Sequence, residues 1–360
     1  KQHYGNPMIE QRSLFEGDSV CLMDPAGIIS VSGADRLTWL HSLLSQNLKN
    51  LKPGESAEAL LLDPQGHIEQ LIKIIDDGET SWLMVNKENT EALLSWLSKM
   101  VFRMKVQLTE RSADFALVGS TKPKPELAFV SNSQPMVWKD GWPGVTLGGY
   151  RYSTREVNYS WFEQLVESSE VDNGLGQVNL SGTMAADALR VAAGRPLAAS
   201  EIDEKSLPHE LDLLSTAVHL SKGCYRGQES VAKVHNLGHP PRRLTFLHLD
   251  GSEHSLPDVG DEVRVSGQEK VVGKITSAAQ HFEMGPIALA VISRSVAEDA
   301  SLEVSSSGGM IAATQEIIVP QSAGKVVEVP KLPRLKLGGA SKAPKPVSYT
   351  HLTLPTILRV

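Results

Sequence analysis

Hydrophobic and polar residues recur with two different periods along the chain, and the pattern changes near residue 240. Between residues 20 and 235, apolar runs of strand length alternate with stretches in which apolar residues recur at helical spacing. The clearest helical pattern lies at 88–100. A second one at 184–193 is followed by Gly194, a residue typical of helix C-termini. Strands that alternate with helices in this way predict an α+β architecture.

The same patterns assign several shorter elements. Residues 161–168 have the spacing of a short helix, and residues 138–152, rich in glycine and aromatic residues, favour a hairpin. Ser32 to Asp35 is expected to open a helix, with Asp35 as its N-cap. Further apolar runs predict strands at 20–23, 28–32, 68–75, 81–85 and 106–118.

After Pro240 and Pro241 the chain consists of short runs rich in β-branched residues, separated by turn residues. Short strands at this spacing predict a small all-β barrel or sandwich. The runs lie at 244–249, 262–265, 271–277 and 287–292. We therefore expect one domain at 17–236, with a break between two subdomains near 110–125, and a C-terminal barrel domain at 237–320.

The two ends of the chain lack a periodic pattern. Residues 1–16 are expected to be an irregular lead-in. Residues 321–360, whose first part is rich in Lys, Pro and Gly, are expected to be a disordered tail. Residues 347–360 change to a Thr-, Leu- and Pro-rich sequence that resembles translated cloning sequence, and we expect them to be non-native. The chain starts at Lys1 rather than Met, which leaves its native N-terminus open.

Composition narrows the classes of function. The chain has 360 residues, of which 41% are hydrophobic and 21% charged, as is typical of a globular protein of about two or three domains. Its formal net charge of −7 argues against direct nucleic-acid binding, because such proteins are usually basic. No apolar run reaches the roughly eighteen residues of a membrane span. The two cysteines form neither a disulfide framework nor a metal site, and their scarcity favours the cytoplasm.

The most informative segment of the chain holds one of the two cysteines. It reads Lys222-Gly223-Cys224-Tyr225-Arg226-Gly227-Gln228-Glu229. The glycines allow a tight turn or a close approach of the backbone to a ligand. Cations such as Arg226 and Lys233 would lower the pKa of the thiol and favour the reactive thiolate. The alternative is a buried structural cysteine, which is how we interpret Cys21 within its apolar run. The polar neighbours of Cys224 favour a reactive thiol.

Basic residues continue beyond this segment. They are His235, His239, Arg242 and Arg243. One interpretation is a solvated charged face, since such runs are common on protein surfaces. The other is an anion site beside the thiol that holds a carboxylate or a phosphate. The sequence leaves both open.

The segment at 222–229 resembles the signature of the YgfZ-type folate-binding proteins, which are related to the aminomethyltransferase (T-protein, GcvT) of the glycine cleavage system. The resemblance covers about residues 17–319 and implies a GcvT/YgfZ-like folate-binding domain of mixed sheets and helices, followed by a small β-barrel. It implies tetrahydrofolate or a derivative as the cofactor and Cys224 as the essential thiol. It also implies that the other motif residues contact the cofactor, namely Lys222, Gly223, Tyr225, Arg226, Gly227, Gln228 and Glu229.

Two segments depart from the T-protein pattern. Where that family has an acidic pair that assists aminomethyl transfer, this chain has Glu69 and Gln70, and an amide cannot exchange a proton near neutral pH. Where the family has a glutamate that binds the pteridine, this chain has Ala192. Glu210 is the expected replacement. Arg190 is either a solvated charge or a ligand for a folate carboxylate.

Three hypotheses for the function follow. The first is a folate-binding accessory protein that supports iron–sulfur cluster assembly or repair through Cys224, with iron–sulfur enzymes or assembly factors as partners. A lone cysteine cannot hold a cluster, so it would act as a transient ligand, a redox thiol or a carrier. The second is a tetrahydrofolate-dependent aminomethyltransferase or one-carbon transferase. The third is a folate-linked factor in tRNA modification. The replaced acidic pair leaves open whether the chain is an enzyme, and it disfavours a standard aminomethyltransferase.

Overall fold

Two five-stranded sheets and a six-stranded closed barrel organise the fold. The computed structural model describes residues 1–173, 175–176, 178–252 and 255–327, which form one unit. In chain order the strands are β1 (Val20–Leu22), β2 (Ala26–Ser32), β3 (Ser56–Leu62), β4 (Ile68–Asp76), β5 (Thr80–Asn86), β6 (Gln107–Glu110), β7 (Phe115–Ser120), β8 (Val130–Ser131), β9 (Gln134–Pro135), β10 (Val137–Lys139), β11 (Phe162–Glu167), β12 (Leu180–Ser181), β13 (Arg242–Leu249), β14 (Glu262–Val265), β15 (Val271–His281), β16 (Gly285–Ser293), β17 (Leu302–Ser306) and β18 (Gly309–Ile317).

Helices lie mainly outside the sheets. They are α1 (Pro7–Glu16), α2 (Arg36–Leu43), α3 (Thr90–Met100), α4 (Ser168–Asp172), α5 (Thr183–Ala192), α6 (Ala198–Glu201) and α7 (Gln228–Leu237). Short 3-10 helices occupy Lys87–Asn89 and Pro208–Leu211. Within the described ranges, none of the helices has the length and apolar character needed to cross a bilayer. As predicted, Gly194 follows α5 in the left-handed conformation, with φ of 65°.

The two sheets face each other across a shared core. The first has the order β3-β4-β5-β2-β6 and is antiparallel throughout. The second has the order β10-β11-β7-β1-β12, in which β1 and β12 are parallel and the other pairs antiparallel. Trp82 from the first sheet, Phe115 from the second and Trp161, which directly precedes β11, belong to one core. Trp39 of α2 and Leu93 of α3 pack in a separate core with the opposite face of the first sheet.

The barrel follows as predicted, which confirms the α+β fold class with a C-terminal barrel. Strand β13 pairs with both β16 and β18 and so closes the ring. Alternate residues such as Leu247, Val263 and Ile275 fill its interior. Strands β17 and β18 were not assigned from the sequence. Small residues of β18, including Ala312 and Ala313, weaken the alternating pattern by which strands are recognised.

The lead-in was expected to be irregular, and this is wrong for residues 7–16, which form α1. The side chain of Asn6 accepts hydrogen bonds from the backbone N–H groups of the first turn, Pro7 occupies the first helical position, and Gly17 ends the helix with φ of 78°. Caps rather than an apolar stripe therefore specify α1. For this reason hydrophobic periodicity did not reveal it.

The predicted helix at 161–168 is also wrong, because most of this segment is strand β11. It pairs with β7 on one side and β10 on the other, and it is buried on both faces. A strand buried on both faces has no alternating pattern and resembles a helix segment in sequence. The expected hairpin at 138–152 is absent as well, since only Val137–Lys139 forms a strand, and that strand pairs with β11. Asp35 does not cap α2 with its side chain.

The expected domain division stays a prediction. The chain passes from the first sheet to the second between β6 and β7, inside the region where we placed the break, and the barrel strands lie within 237–320. The first residues of the predicted tail are packed, because the N–H of Val326 donates to the carbonyl of His235 in α7 and Ala323 is buried. Residues 328–360, which hold the rest of the predicted tail and the segment 347–360, lie outside the described residues.

A buried network of charges joins both sheets to the segment that leads to Cys224. Arg195, after α5, donates to Glu58 of β3 and, at 2.9 Å, to Asp140 beyond β10. The Thr216 hydroxyl donates to the other Glu58 oxygen at 2.7 Å. Burial alone would lower the pKa of Arg195, but Asp140 and Glu58 raise it above its ordinary value. The guanidinium therefore stays charged in the interior.

Removing this guanidinium should destabilise the fold strongly. We expect Arg195→Met to lower the free energy of unfolding by about 3–5 kcal/mol, because Glu58 and Asp140 would become unpaired buried charges. The matched control is Lys87→Met, which removes an exposed ion pair with Glu110 at 3.8 Å and should cost about 0–1 kcal/mol. Urea unfolding of both variants measures the difference. Equal losses in the two variants would show that the buried network is not a major source of stability.

Candidate functional site

Cys224 lies on the surface, in the turn that precedes α7. Gly227 has φ of 82°, and a β-carbon there would lie 2.5 Å from the carbonyl oxygen of Asp63. Only glycine therefore allows this turn to lie against the loop between β3 and β4. The thiol is accessible, although its reactivity stays a prediction. In contrast, Cys21 is buried in β1, and burial raises the pKa of its thiol to about 12, which agrees with a structural role.

Lys222 anchors the turn from inside the protein. Its buried ammonium donates to the carbonyls of His41, Leu44 (2.5 Å) and Gln46 (3.1 Å), at the C-terminal end of α2. Burial lowers the pKa of Lys222 to about 8. The lysine satisfies carbonyls that the end of a helix leaves free. Its ammonium is thus used to position the turn, and its expected contact with the cofactor stays a prediction.

Other motif residues also hold the turn in shape. Tyr225 is buried, with its ring centroid 5.0 Å from the Lys222 ammonium. The Gln228 side chain donates to the carbonyl of Lys222 at 3.1 Å. Gly223 and Glu229 are exposed beside Cys224. Gly223 has open space where a side chain would be. Of the predicted cofactor contacts in this motif, Gly223 and Glu229 are therefore the exposed ones, and Arg226, Gly227 and Gln228 are half-buried.

The cations predicted to surround the thiol have separate partners. Arg226 donates to Glu69 at 2.7 Å, and Arg242 pairs with Asp203 and with Glu210 at 2.8 Å. Arg243 is buried and donates to Gln315 at 2.8 Å. These contacts direct the three guanidinium groups to different places. The structure does not bring them together as the anion site that was one of our two interpretations.

A cavity of about 240 Å³ lies between the two sheets, next to α5. Tyr159 and Trp161 form one wall, with ring centroids 6.4 Å apart and ring planes nearly parallel. Lys73 of β4 pairs with Glu163 of β11 at 2.6 Å, and the Trp161 indole donates to the same carboxylate at 3.1 Å. Arg190 borders this cavity, as a ligand-binding residue would.

Polar groups around the cavity are held in place by other side chains. Arg190 pairs with Asp187 at 3.2 Å and Glu201 at 3.4 Å, and it donates to the Ser277 hydroxyl at 2.9 Å. Arg195 also borders the cavity, and its Nη1 is buried without a hydrogen-bond partner among the described residues. An unpaired buried donor is uncommon, and a bound ligand is one way to satisfy it.

A second pocket of about 490 Å³ adjoins the cavity and shares Leu71, Asn86 and Ala198 with it. Its lining includes four carboxylate side chains. They are Asp63, Glu69, Asp203 and Glu204. Gln70 borders it as well. The ion pair between Glu69 and Arg226 therefore connects this acidic pocket to the turn that carries Cys224.

Glu210 lies outside both pockets, and its role as the replacement for the pteridine-binding glutamate stays a prediction. It is fully buried in the 3-10 helix after β12 and α6, and its carboxylate accepts hydrogen bonds from Arg242 and from the N–H of Leu207. It lines neither of the two pockets. The prediction rested on its place in the sequence, whereas the structure uses its charge to hold Arg242 at the start of the barrel.

The sequence analysis missed the polar and aromatic residues that border the cavity. They are Lys73, Asp140, Tyr159, Trp161, Glu163 and Arg195. No motif marks them. One signal was present, because Lys73 and Glu163 are charged residues inside apolar strand sequences, where a charge needs a partner.

Comparison with known proteins agrees with this architecture. No family model matches the chain. The chain is 27% identical over 292 residues to an aminomethyltransferase of Rippkaea orientalis, covering 75% of this chain and 77% of the relative. It is 28% identical over 291 residues to an aminomethyltransferase of Nostoc sp., covering 76% of each. An aminomethyltransferase of Bacillus subtilis is 25% identical over 301 residues, covering 76% of this chain and 78% of the relative.

A solved structure shows the same fold. The crystal structure of the glycine cleavage system aminomethyltransferase T from Bartonella henselae aligns with a TM-score of 0.67 at 19% identity, covering 91% of this chain and 92% of that chain. The chain is thus similar in sequence to aminomethyltransferases and has the fold of aminomethyltransferase T.

Proposed function

We propose that the protein binds a tetrahydrofolate, or a derivative, in the cavity between its two sheets. The observation that carries this proposal is the cavity itself, with the nearly parallel rings of Tyr159 and Trp161 beside the ion pair of half-buried Lys73 with buried Glu163. Aromatic faces stack on flat heterocycles, and a few fixed polar groups orient a ligand in an apolar pocket. The free Nη1 of Arg195 fits a pterin, whose carbonyl and ring nitrogens accept hydrogen bonds.

The two pockets differ in size and charge, and we assign a different ligand to each. At about 240 Å³ the cavity is smaller than most ligand pockets, which span roughly 300–1,000 Å³, so it suits the pterin ring rather than a whole folate. The adjoining pocket has four carboxylates, of which Glu69 and Asp203 pair with Arg226 and Arg242, and its remaining negative charge disfavours the glutamate of a folate. It suits a protonated amine, such as the amine of an aminomethyl donor, brought next to the pterin.

Aminomethyl or one-carbon transfer to tetrahydrofolate is the activity that the sequence relatives and the acidic pocket support best. We propose that Glu69 moves a proton at that pocket, because it occupies the place of the family's acidic pair and Gln70 beside it cannot do so. Glu69 would have to release Arg226 to do so, because the two are paired at 2.7 Å. Loss of the ion pair between Glu69 and Arg226 would also loosen the turn that carries Cys224.

One observation favours a second function, the YgfZ-type accessory role in iron–sulfur cluster assembly or repair. Cys224 is exposed, and the turn that presents it is fixed by Lys222 and Gly227. A thiol held this way serves no packing purpose. The departures at Gln70 and Ala192 also weaken the transferase interpretation. A link to tRNA modification, through partner enzymes, would depend on the same thiol. A cytoplasmic location remains an expectation for either function.

Folate binding should be visible as thermal stabilisation. We expect tetrahydrofolate to raise the melting temperature of the protein, because a ligand of the native state stabilises it by mass action. Tyr159→Ala should weaken binding about tenfold, since one aromatic contact contributes up to about 1.5 kcal/mol. Tyr150→Ala, a tyrosine that does not border the cavity, is the control and should bind normally. Absence of any shift at saturating tetrahydrofolate would refute the proposed cofactor.

Substitutions at two positions separate the two functions. If the protein is a transferase, wild-type protein moves a labelled one-carbon group from an aminomethylated carrier to tetrahydrofolate. Glu69→Gln should then lower that rate about 10²–10⁴-fold, the usual contribution of a general acid or base. Cys224→Ala should leave the rate unchanged.

An accessory role gives the opposite pattern. Transfer then stays at background for every variant, and Cys224→Ala fails to restore iron–sulfur enzyme activity in a deletion strain. Ser221→Ala, an exposed residue in the same turn, is the control and should restore it. Full restoration by Cys224→Ala would exclude a role for the thiol.

A further inference from the structure

The end of α3 presents an exposed aromatic ring in an unfavourable backbone conformation. Phe102, two residues beyond the helix, has φ of 44° and a side chain that is 86% exposed. Glycine or asparagine normally takes the left-handed conformation after a helix, because a β-carbon makes it unfavourable. The ring is not packed in the core, so burial does not offset that cost. Folding alone therefore gives no reason for phenylalanine at this position.

Three exposed cations lie within three residues of Phe102 in the chain. Lys99, Arg103 and Lys105 are exposed, and none of them forms an ion pair with another residue in the described part of the chain. The Arg103 guanidinium lies 5.3 Å from the Phe102 ring centroid. Asp35 contacts this segment, but its carboxylate accepts from the backbone N–H of Lys105 at 2.7 Å. Met100, 39% exposed, adds apolar surface.

We call Lys99, Met100, Phe102, Arg103 and Lys105 the Phe102 tip. Trp96, one helical turn before Met100, links it to the turn that carries Cys224, because the Arg226 guanidinium lies 5.9 Å from the Trp96 ring. The Trp39 indole of α2 donates to the Met100 carbonyl at 3.0 Å. Helix α2 thus contacts the end of α3 and also supplies carbonyls that hold Lys222. The tip and the thiol lie on adjacent elements.

We infer that the Phe102 tip is a docking surface for an acidic protein partner, one that presents aspartate or glutamate side chains around an apolar residue. Three unpaired cations in a chain with net charge −7 provide the charge complementarity, and Phe102 provides an aromatic anchor of the kind that dominates interfaces. A partner bound there would lie at the end of the helix whose Trp96 contacts Arg226. An anionic membrane would match the charges, but one exposed ring inserts little apolar area. The inference does not require folate binding.

A defined probe tests this surface. The probe is a fluorescein-labelled helical peptide with leucines on one face and glutamates around them, titrated with the full chain while anisotropy is recorded. We expect it to bind, Phe102→Ala to weaken binding about tenfold, and the triple charge reversal K99E/R103E/K105E to abolish it. Leu147→Ala, which removes an equally exposed apolar side chain elsewhere (85%), is the matched control and should bind like wild type.

A second variant separates binding from folding. Phe102→Gly should raise the melting temperature, because glycine takes φ of 44° without strain, and should weaken peptide binding as Phe102→Ala does. A residue kept for folding would instead lower the melting temperature when replaced by glycine.

Three results would overturn the inference. One is equal binding of a control peptide in which lysine replaces every glutamate. Another is unchanged binding by Phe102→Ala, or an equal loss with Leu147→Ala. The third is binding of wild type, but not Phe102→Ala, to phosphatidylserine vesicles without binding of the acidic peptide, which would assign the tip to a membrane surface.

Discussion

The architecture depends on one buried guanidinium. Arg195 connects Glu58 in the first sheet with Asp140 next to the second, and Glu58 in turn holds Thr216 in the segment that leads to Cys224. Charges in a protein interior are stable only when they are paired, so this network ties the two sheets together. The cavity between the sheets lies beside the network, and Arg195 borders that cavity.

The two candidate sites lie in different parts of the fold, one in the interior and one on the surface. The interior contains an aromatic and charged cavity, with an acidic pocket beside it that includes Glu69. The surface presents Cys224 on a turn that Lys222 anchors. The pair Glu69–Arg226 is the direct contact between the acidic pocket and that turn. A ligand that displaced Glu69 from this ion pair would therefore free Arg226. Ligand binding in the acidic pocket would then change the surroundings of Cys224 through one ion pair.

The sequence was informative where a local pattern carries the structure. The helix α5 with Gly194, four of the six barrel strands and the conformational need for glycine at Gly227 follow from periodicity or from turn chemistry that neighbouring residues reveal. Strand β11 could not be recognised, because its character comes from partners distant in sequence that bury both of its faces. Helix α1 was missed because only its caps specify it.

Local patterns were also informative for the site only up to a point. They located the motif residues, but they did not reveal the direction in which the side chains of those residues point. The ammonium of Lys222 points inward to the end of α2, and Arg242 pairs with Glu210. A charged group removed from water needs a partner, and the tertiary structure determines which partner is available. Lys73 and Glu163 belong to different sheets, and only the packing of those sheets makes them a pair.

The most direct test of folate binding in the inter-sheet cavity is a crystal structure of the protein with tetrahydrofolate. The account predicts density for the pterin ring beside the rings of Tyr159 and Trp161, within hydrogen-bond distance of Arg195 Nη1. A pterin bound outside this cavity, or a cavity that holds only ordered water at saturating ligand, would contradict it.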